Sequence, residues 1–446
     1  MNQATVTLNK RNNIFWDITP GGQPQGAIRV PGDKSISHRG AMLGAIAQGT
    51  TWVEGFLNGA DCLATMRAFQ AMGVEVEQAQ ATSLEIQGVG LRGLAAPNHP
   101  LDLGNSGTSM RLMSGLMAAQ NFETTLVGDA SLSSRPMQRV IGPLQAMGAK
   151  IESRQGKAPL RIHPVTSLRA IDHVSKVASA QVKSCVLLAG LYADGVTSVT
   201  EPGISRDHTE KMLETFGVQV QCHGHRVSVA GDAHLLGSRI SVPADVSSAA
   251  FFMVAAALTP GSDLELIDVG INPTRTGVVE ILQRMGAHIE LNHRRDFGAE
   301  PVANIRVRGQ GLRGIEVDPA LVASAIDEFP AVFVAAACAE GETVISGAAE
   351  LRVKESDRIQ TMVDGLRNLG IDAQATPDGA CIQGGRIQGG EVDSHGDHRV
   401  AMSFAMAGFA ASKPIRIRDC ANVDTSFPGF AELAHQTGLD ISVRHG

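Results

Sequence analysis

Aromatic side chains are scarce in this chain: Phe, Trp and Tyr together make up 4% of its 446 residues, with two Trp and one Tyr. Platforms for stacking bases are therefore few, and a formal net charge of -7 supplies no basic field, so nucleic acid is excluded as a partner. The six cysteines, Cys62, Cys185, Cys222, Cys338, Cys381 and Cys420, never stand in a C-x-x-C spacing. Buried free thiols are expected, not disulfides or a zinc site. Long apolar runs are missing as well. The longest uncharged stretch of the Ala-rich middle, residues 246–262, has about ten consecutive apolar residues, where a bilayer span needs about 20. The first twenty residues carry Lys10, Arg11 and Asp17 without an apolar block, which argues against a secretory signal. The expectation is a soluble cytoplasmic chain with no membrane partner and a loosely held N-terminal extension over residues 1–25.

What is present is a globular composition, 43% hydrophobic and 19% charged, on a length that suits two domains. The 49 glycines exceed the usual ~7% and point to many tight turns. Several of them mark a repeat. A glycine followed by an alternating apolar strand recurs at Gly73, Gly148, Gly217, Gly286, Gly370 and Gly438, at intervals of 75, 69, 69, 84 and 68 residues. Each reads as a helix C-cap turning into a half-buried strand. Six small-residue helices keep the same phase: Ser37–Ala47, Ser109–Ala119, Gln181–Ala193, Ser247–Leu258, Glu328–Cys338 and Arg399–Ala411. Six units of about 70 residues divide into two domains of three, and helix N-termini directed into a shared cleft would favour anions.

Polar segments at the helix starts carry the chemistry. Leu351-Arg352-Val353-Lys354-Glu355-Ser356-Asp357-Arg358 has five charged residues of eight. If it opens a helix, Lys354 and Arg358 stand one turn apart on one face with Glu355 beside them, a carboxylate fixed between two anion-binding cations. A solvated i,i+4 ion network is the alternative. Lys34, Ser35 and Arg39 open the first helix and suit a phosphate or carboxylate, although G-x-x-x-x-G-K-[ST] is absent. The second begins Leu103-Gly104-Asn105-Ser106-Gly107-Thr108-Ser109-Met110-Arg111, whose glycines let backbone lie close to a ligand. Pro136 can begin a helix and leave Arg135 pointing out. Ser179, Ala180, Gln181 and the loop Ser205-Arg206-Asp207-His208 add hydroxyls, an amide and a cation at corresponding points. Asp327 and Glu328 precede an apolar helix, where burial can tune a base; N-cap duty for Asp327 is the alternative. Asp397-His398-Arg399 lacks further His at ligand spacing, so anion binding by Arg399 fits better than a metal.

Taken in order, Gly-Asp-Lys-Ser at 32–35, Leu-Gly-Asn-Ser-Gly-Thr at 103–108, Arg-Pro-Met at 135–137, Leu-Arg-Val-Lys-Glu-Ser-Asp-Arg at 351–358 and Asp-His-Arg at 397–399 resemble the 5-enolpyruvylshikimate-3-phosphate synthase family from about Gly26 to the C-terminus. The resemblance implies an α/β, two-domain enolpyruvyl transferase fold of six β-α-β-α-β-β units, three per domain, with the site in the interdomain cleft. The chain would cross near Gly32 and Arg239, giving domains 33–238 and 1–32 plus 239–446. It also implies transfer of the enolpyruvyl group of phosphoenolpyruvate to the 5-hydroxyl of shikimate 3-phosphate, by a monomer needing neither metal nor organic cofactor.

Carried over by position, Lys34, Ser35, Arg39, Ser179, Ala180, Gln181, Arg206, Asp327 and Lys354 would hold shikimate 3-phosphate, Ala180 through its backbone alone. Lys34, Gly107, Arg135, Gln181, Arg358 and Arg399 would hold phosphoenolpyruvate. Asp327 would take the hydroxyl proton and Glu355 would protonate the methylene carbon, with Lys34 and Lys354 as rivals for part of that traffic. Asp424 stands where many members have a lysine and is left out of the set. Gly-Asp-Lys-Ser, Ser-Ala-Gln-Val-Lys (179–183), Arg-Asp-His-Thr-Glu (206–210) and Asn-Pro-Thr-Arg (272–275) resemble the family's glyphosate-tolerant class. The related UDP-N-acetylglucosamine enolpyruvyl transferase usually has a cysteine where this chain has Ala130. A noncatalytic repeat scaffold would not need Lys354, Glu355, Asp327 and Arg135 to share one cleft. An RNA phosphate cyclase is disfavoured by the charge and the few aromatics.

Overall fold

The computed structural model describes residues 14–446, so most of the expected N-terminal extension lies outside the described residues. Each small-residue segment forms a helix: Lys34–Ile46, Gly107–Met117, Ala180–Gly190, Val246–Leu258, Phe329–Ala337 and His398–Met406. Five of them start one to three residues before the apolar pattern does, four of these because polar residues that pattern cannot see provide the caps. Asp33, Ser106, Asp245 and Asp397 each accept a hydrogen bond from a backbone N–H of the first turn. The six repeat glycines all have φ between 85° and 100°, the left-handed conformation that ends the second helix of each unit.

The sheets repeat one scheme. Leu101–Asp102 runs parallel to Thr124–Val127, which is antiparallel to Lys157–His163, itself antiparallel to Lys150–Arg154. The pattern recurs in order around Val196–Thr200. Beside Glu342–Ile345 its parallel member shrinks to one bridge between Glu316 and Val344. Three sheets are completed by distant chain: Arg239–Ser241 pairs with Gln48–Glu54, and Gln25–Ile28 pairs with Asp263–Gly270. Ile14–Thr19 lies between Ile415–Arg418 and Asp440–His445. With these strands counted, the units follow the β-α-β-α-β-β order.

Apolar residues bury into two cores. One runs from Ile36 to Val242; the other joins residues 16–30 to residues 244–441. The two connecting segments touch: Asp33 donates its backbone N–H to the Pro243 carbonyl at 2.8 Å, and Asp245 donates to Pro31 at 2.9 Å. The second crossing thus follows Arg239–Ser241, which still pairs with the first half. A Cβ at Gly32 would sit 1.9 Å from the Gly55 carbonyl oxygen, so glycine is required at the first crossing.

Arg275 lies at this junction, buried. Its guanidinium donates to Asp33 at 3.1 Å, Asp245 at 3.2 Å and Ser247 at 2.7 Å, and contacts His208 Nε2 at 3.3 Å. It therefore links the N-caps of the two helices that follow the crossings. Burial raises the Asp33 carboxyl, but Arg275 and neighbouring charges outweigh that and bring it to about 2.

Candidate active site

The helix Lys34–Ile46 brings Lys34, Ser35 and Arg39 to the junction of the two halves. Lys34 pairs with Asp61. Arg39 is buried and spends its donors inside the first half: on Thr209 at 2.6 Å, Ser184 at 2.8 Å and the Ser35 carbonyl at 3.0 Å. Burial lowers its pKa to about 10, so it stays charged at neutral pH. The start of the second helix puts Gly107 under two cations, where a Cβ would stand 2.8 Å from Arg111 Nη1 and 3.2 Å from Arg135 Nη1. Arg135 caps the C-terminus of a short helix, Ala130–Ser134, and Pro136 stands ahead of the next helix, which begins at Gln138. Its guanidinium points inward, donating to Asn105 at 2.6 Å and Glu355 at 3.1 Å. Gln181 accepts from Arg111 at 2.7 Å and donates to Thr108 at 3.0 Å.

The second half supplies the carboxylates. Residues 351–358 open a helix only at their last residue, so Lys354 and Arg358 do not share a helix face. Ala349–Val353 is a 3-10 turn, Lys354 is extended, and the α-helix starts at Arg358. Asp357 sets that start: its own backbone is non-helical, and its carboxylate accepts from the Gln360 N–H as an N-cap. Lys354 and Arg358 still converge, across a loop instead of along a helix face: both reach Asp327 Oδ1 at 3.5 Å. Asp327 caps nothing, the cap position being Glu328. Its carboxylate also accepts from Arg206 of the opposite half at 2.5 Å. Arg358 donates to Glu355 at 2.5 Å and to Asp397 at 2.8 Å, and Arg399 donates to the Asp327 carbonyl at 3.1 Å.

Electrostatics follow from this crowding. Burial alone would raise the Asp327 carboxyl, but Arg206, Lys354, Arg399 and Arg358 hold it well below the usual carboxylate range. Burial likewise opposes the charge of Glu355, and Arg358 and Arg135 overcome it. Burial, reinforced by Lys34 and Arg399, keeps His398 neutral with its pKa well below the ordinary value.

All fourteen residues singled out from the sequence line one cavity of about 380 Å³: Lys34, Ser35, Arg39, Gly107, Arg135, Ser179, Ala180, Gln181, Arg206, Asp327, Lys354, Glu355, Arg358 and Arg399. Its walls come from both halves, and its size is within the usual range for small ligands. Ala130 and Asp424 are exposed and outside the lining. Sequence reasoning missed Asp61, Arg111, Arg139, Glu350 and His398 as lining residues. Arg111 stands one turn after Gly107, a signal at helical spacing that was available. His398 was weighed only as a metal ligand; its Nε2 is buried with no hydrogen-bond partner. Arg139 and Glu350 pair across the cleft at 2.9 Å, which no local pattern announces.

Residues 18–433 match the family model described as EPSP synthase (3-phosphoshikimate 1-carboxyvinyltransferase). The chain belongs to the EPSP synthase family. A 3-phosphoshikimate 1-carboxyvinyltransferase of Methylococcus capsulatus is 63% identical over 432 residues, covering 97% of this chain and 99% of its own. Another from Alkalilimnicola ehrlichii is 59% identical, covering 96% of each. Among solved structures, an EPSP synthase from Acinetobacter baumannii matches with a TM-score of 0.87 and 53% identity, over 97% of this chain and 100% of that one. The two-domain α/β enolpyruvyl transferase fold of the EPSP synthase family is therefore the fold of this chain.

Proposed function

We propose that the chain transfers the enolpyruvyl group of phosphoenolpyruvate to the 5-hydroxyl of shikimate 3-phosphate, releasing inorganic phosphate, a step of aromatic amino-acid biosynthesis. The observation that carries the reading is one cavity in which five cations, Arg135, Arg206, Lys354, Arg358 and Arg399, surround the carboxylates Asp327 and Glu355, the cations coming from both halves. Both substrates are anions, and the reaction needs a proton removed and a proton supplied. Ser35, Arg39, Ser179, Ala180, Gln181, Arg206 and Lys354 hold shikimate 3-phosphate, with Lys34 and Asp327 at its hydroxyl end. Lys34, Gly107, Arg135, Gln181, Arg358 and Arg399 hold phosphoenolpyruvate.

In the addition step Asp327 accepts the hydroxyl proton while the oxygen bonds to C2 of phosphoenolpyruvate, and Glu355 gives a proton to C3. The tetrahedral ketal then loses phosphate from C2 and a proton from the new methyl, restoring the double bond. Lys34 and Lys354 share in that proton traffic. Substrate anions take over the cations that now pair with Asp327 and Glu355, so binding raises both carboxyls toward the range where they exchange protons.

The fourteen residues belong, in this reading, to two domains expected at 33–238 and 1–32 plus 239–446, with the second boundary moved past Arg239–Ser241 because that strand pairs with the first half. A monomer is supported by a cavity completed within one chain, and a cytoplasmic setting by six free cysteines. No helix among the described residues is long and apolar enough to cross a membrane. We also propose intermediate to high glyphosate tolerance, supported by the four class motifs and by Asp424 lying outside the cavity, against the room left at Gly107. Transfer to UDP-N-acetylglucosamine is opposed by Ala130, and a noncatalytic scaffold by the convergence of Lys354, Glu355, Asp327 and Arg135. Running the purified protein with both substrates in deuterated water tests the reading. An enolpyruvyl product with deuterium in its vinyl group is expected; unchanged substrates would overturn it.

A further inference from the structure

Glu201 and Lys183 do not line the cavity, yet both touch residues that do. Glu201 follows the strand Val196–Thr200, and its side chain is 3% exposed. One carboxylate oxygen accepts the Ser179 backbone N–H at 2.6 Å, and the other accepts the Ser205 hydroxyl at 2.6 Å. Lys183, 4% exposed and one turn into the helix Ala180–Gly190, places its Nζ 3.2 Å from Glu201 and 2.7 Å from Glu210. Burial opposes its charge, but Glu210 and Glu201 more than compensate and raise its pKa.

Two features set this cluster apart from an ordinary buried ion pair. Replacing such pairs by apolar residues is often neutral or stabilising, so stability alone does not account for a carboxylate here. Second, Ser179 occupies the N-cap position without a side-chain capping bond, unlike Asp33, Ser106, Asp245 and Asp397. Glu201 fixes the Ser179 backbone, so the cap geometry does not consume the Ser179 hydroxyl. The same carboxylate ties down Ser205, the residue before Arg206.

We infer that Glu201, held by Lys183, is a positioning residue for the phosphate of shikimate 3-phosphate, setting the spacing between Ser179 at one helix start and Arg206 on the facing loop. The inference rests on the proposed function, which gives Ser179 and Arg206 to shikimate 3-phosphate; a free hydroxyl at a helix N-terminus facing a guanidinium is a pairing that suits its phosphate. Glu201→Asp keeps the charge beside Lys183 but falls one methylene short of the Ser179 N–H; Glu201→Gln keeps the length and loses the charge.

Calorimetric titration with shikimate 3-phosphate and steady-state kinetics separate the possibilities. Each variant is expected to weaken shikimate 3-phosphate about 10- to 100-fold, the range for a lost hydrogen bond to a charged group. KM for phosphoenolpyruvate and kcat at saturation should move less than about threefold, the signature of lost binding and not lost chemistry. Lys183→Met should weaken the same ligand, and adding it to Glu201→Gln should cost less than the sum of the two. A folded Glu201→Asp protein with shikimate 3-phosphate affinity within about twofold of wild type, inside the scatter of such measurements, overturns the inference. So does a fall in kcat with affinity unchanged. If Glu201→Gln does not fold, Glu201→Asp decides alone. Wild-type protein that neither binds shikimate 3-phosphate nor releases phosphate would overturn the functional reading itself, a different failure.

Discussion

Asp327 and Glu355 are ionised because cations crowd them, and the same cations are the ones two anionic substrates need. In the free protein both carboxyls lie well below their ordinary values. Asp327 must be ionised to act as a base, so turnover is lost as pH falls through its pKa. Since bound anions neutralise its partners, the acid limb of kcat should lie at higher pH than the limb of kcat/KM, once substrate phosphate ionisation is subtracted. Coincident limbs would contradict the takeover of cations. Asp327→Asn and Glu355→Gln should each lower kcat by about 10²–10⁴-fold with a much smaller change in shikimate 3-phosphate affinity, checked by steady-state kinetics and titration. Gly107 is the third decisive residue. An added methyl would meet Arg111 and Arg135 at 2.8 and 3.2 Å, so Gly107→Ala should raise KM for phosphoenolpyruvate and relieve glyphosate inhibition at matched saturation. Equal inhibition of both proteins would remove residue 107 from the inhibitor's position.

At the level of elements, the small-residue helices were legible because Ala and Gly recur densely over three turns, and their ends were missed by only a few residues. Over residues 351–358 helical spacing and loop convergence would put the same charges together; the Asp357 cap, which starts the helix only at Arg358, decides between them. The swapped strands were not legible. Ile14–Thr19 is six residues long and pairs with chain some 400 positions away, a partnership that no local pattern encodes. Close helix packing gives a paired prediction. A Cβ at Gly115 would lie 2.2 Å from the Cys185 carbonyl oxygen, where the second and third small-residue helices meet, whereas one at Gly142 would meet nothing nearer than 4.0 Å. Gly115→Ala should destabilise by about 1–3 kcal/mol in urea melts. Gly142→Ala, inside the helix Gln138–Ala146 but just before Pro143, should change stability by less than about 1 kcal/mol, the helix propensity gained being offset by crowding against the proline ring. Equal effects would mean that the helix contact is looser than described.

Across the whole molecule, four short motifs separated by up to 240 residues meet at the wall of the cavity, to whose lining Arg275 and His208 belong. Arg275 joins Asp33 and His208, Asn272 donates to Asp207 at 2.6 Å, and Lys183 pairs with Glu210. The sequence displayed them as separate signatures; only the fold makes them one hub at the crossings. Arg135–Glu355, Arg206–Asp327 and Arg139–Glu350 bridge the cleft in front of that hub. The last is exposed, and such pairs contribute about 0–1 kcal/mol, so a dianion gripped from both halves should close the molecule further. Small-angle scattering should show a smaller radius of gyration with saturating shikimate 3-phosphate; an unchanged radius would count against a ligand shared between the halves. The most direct test of the central claim is phosphate release by the purified protein from phosphoenolpyruvate, with shikimate 3-phosphate or UDP-N-acetylglucosamine as acceptor. The account predicts release with shikimate 3-phosphate alone, one phosphate per acceptor consumed. Release with the nucleotide sugar, or with neither acceptor, would contradict it.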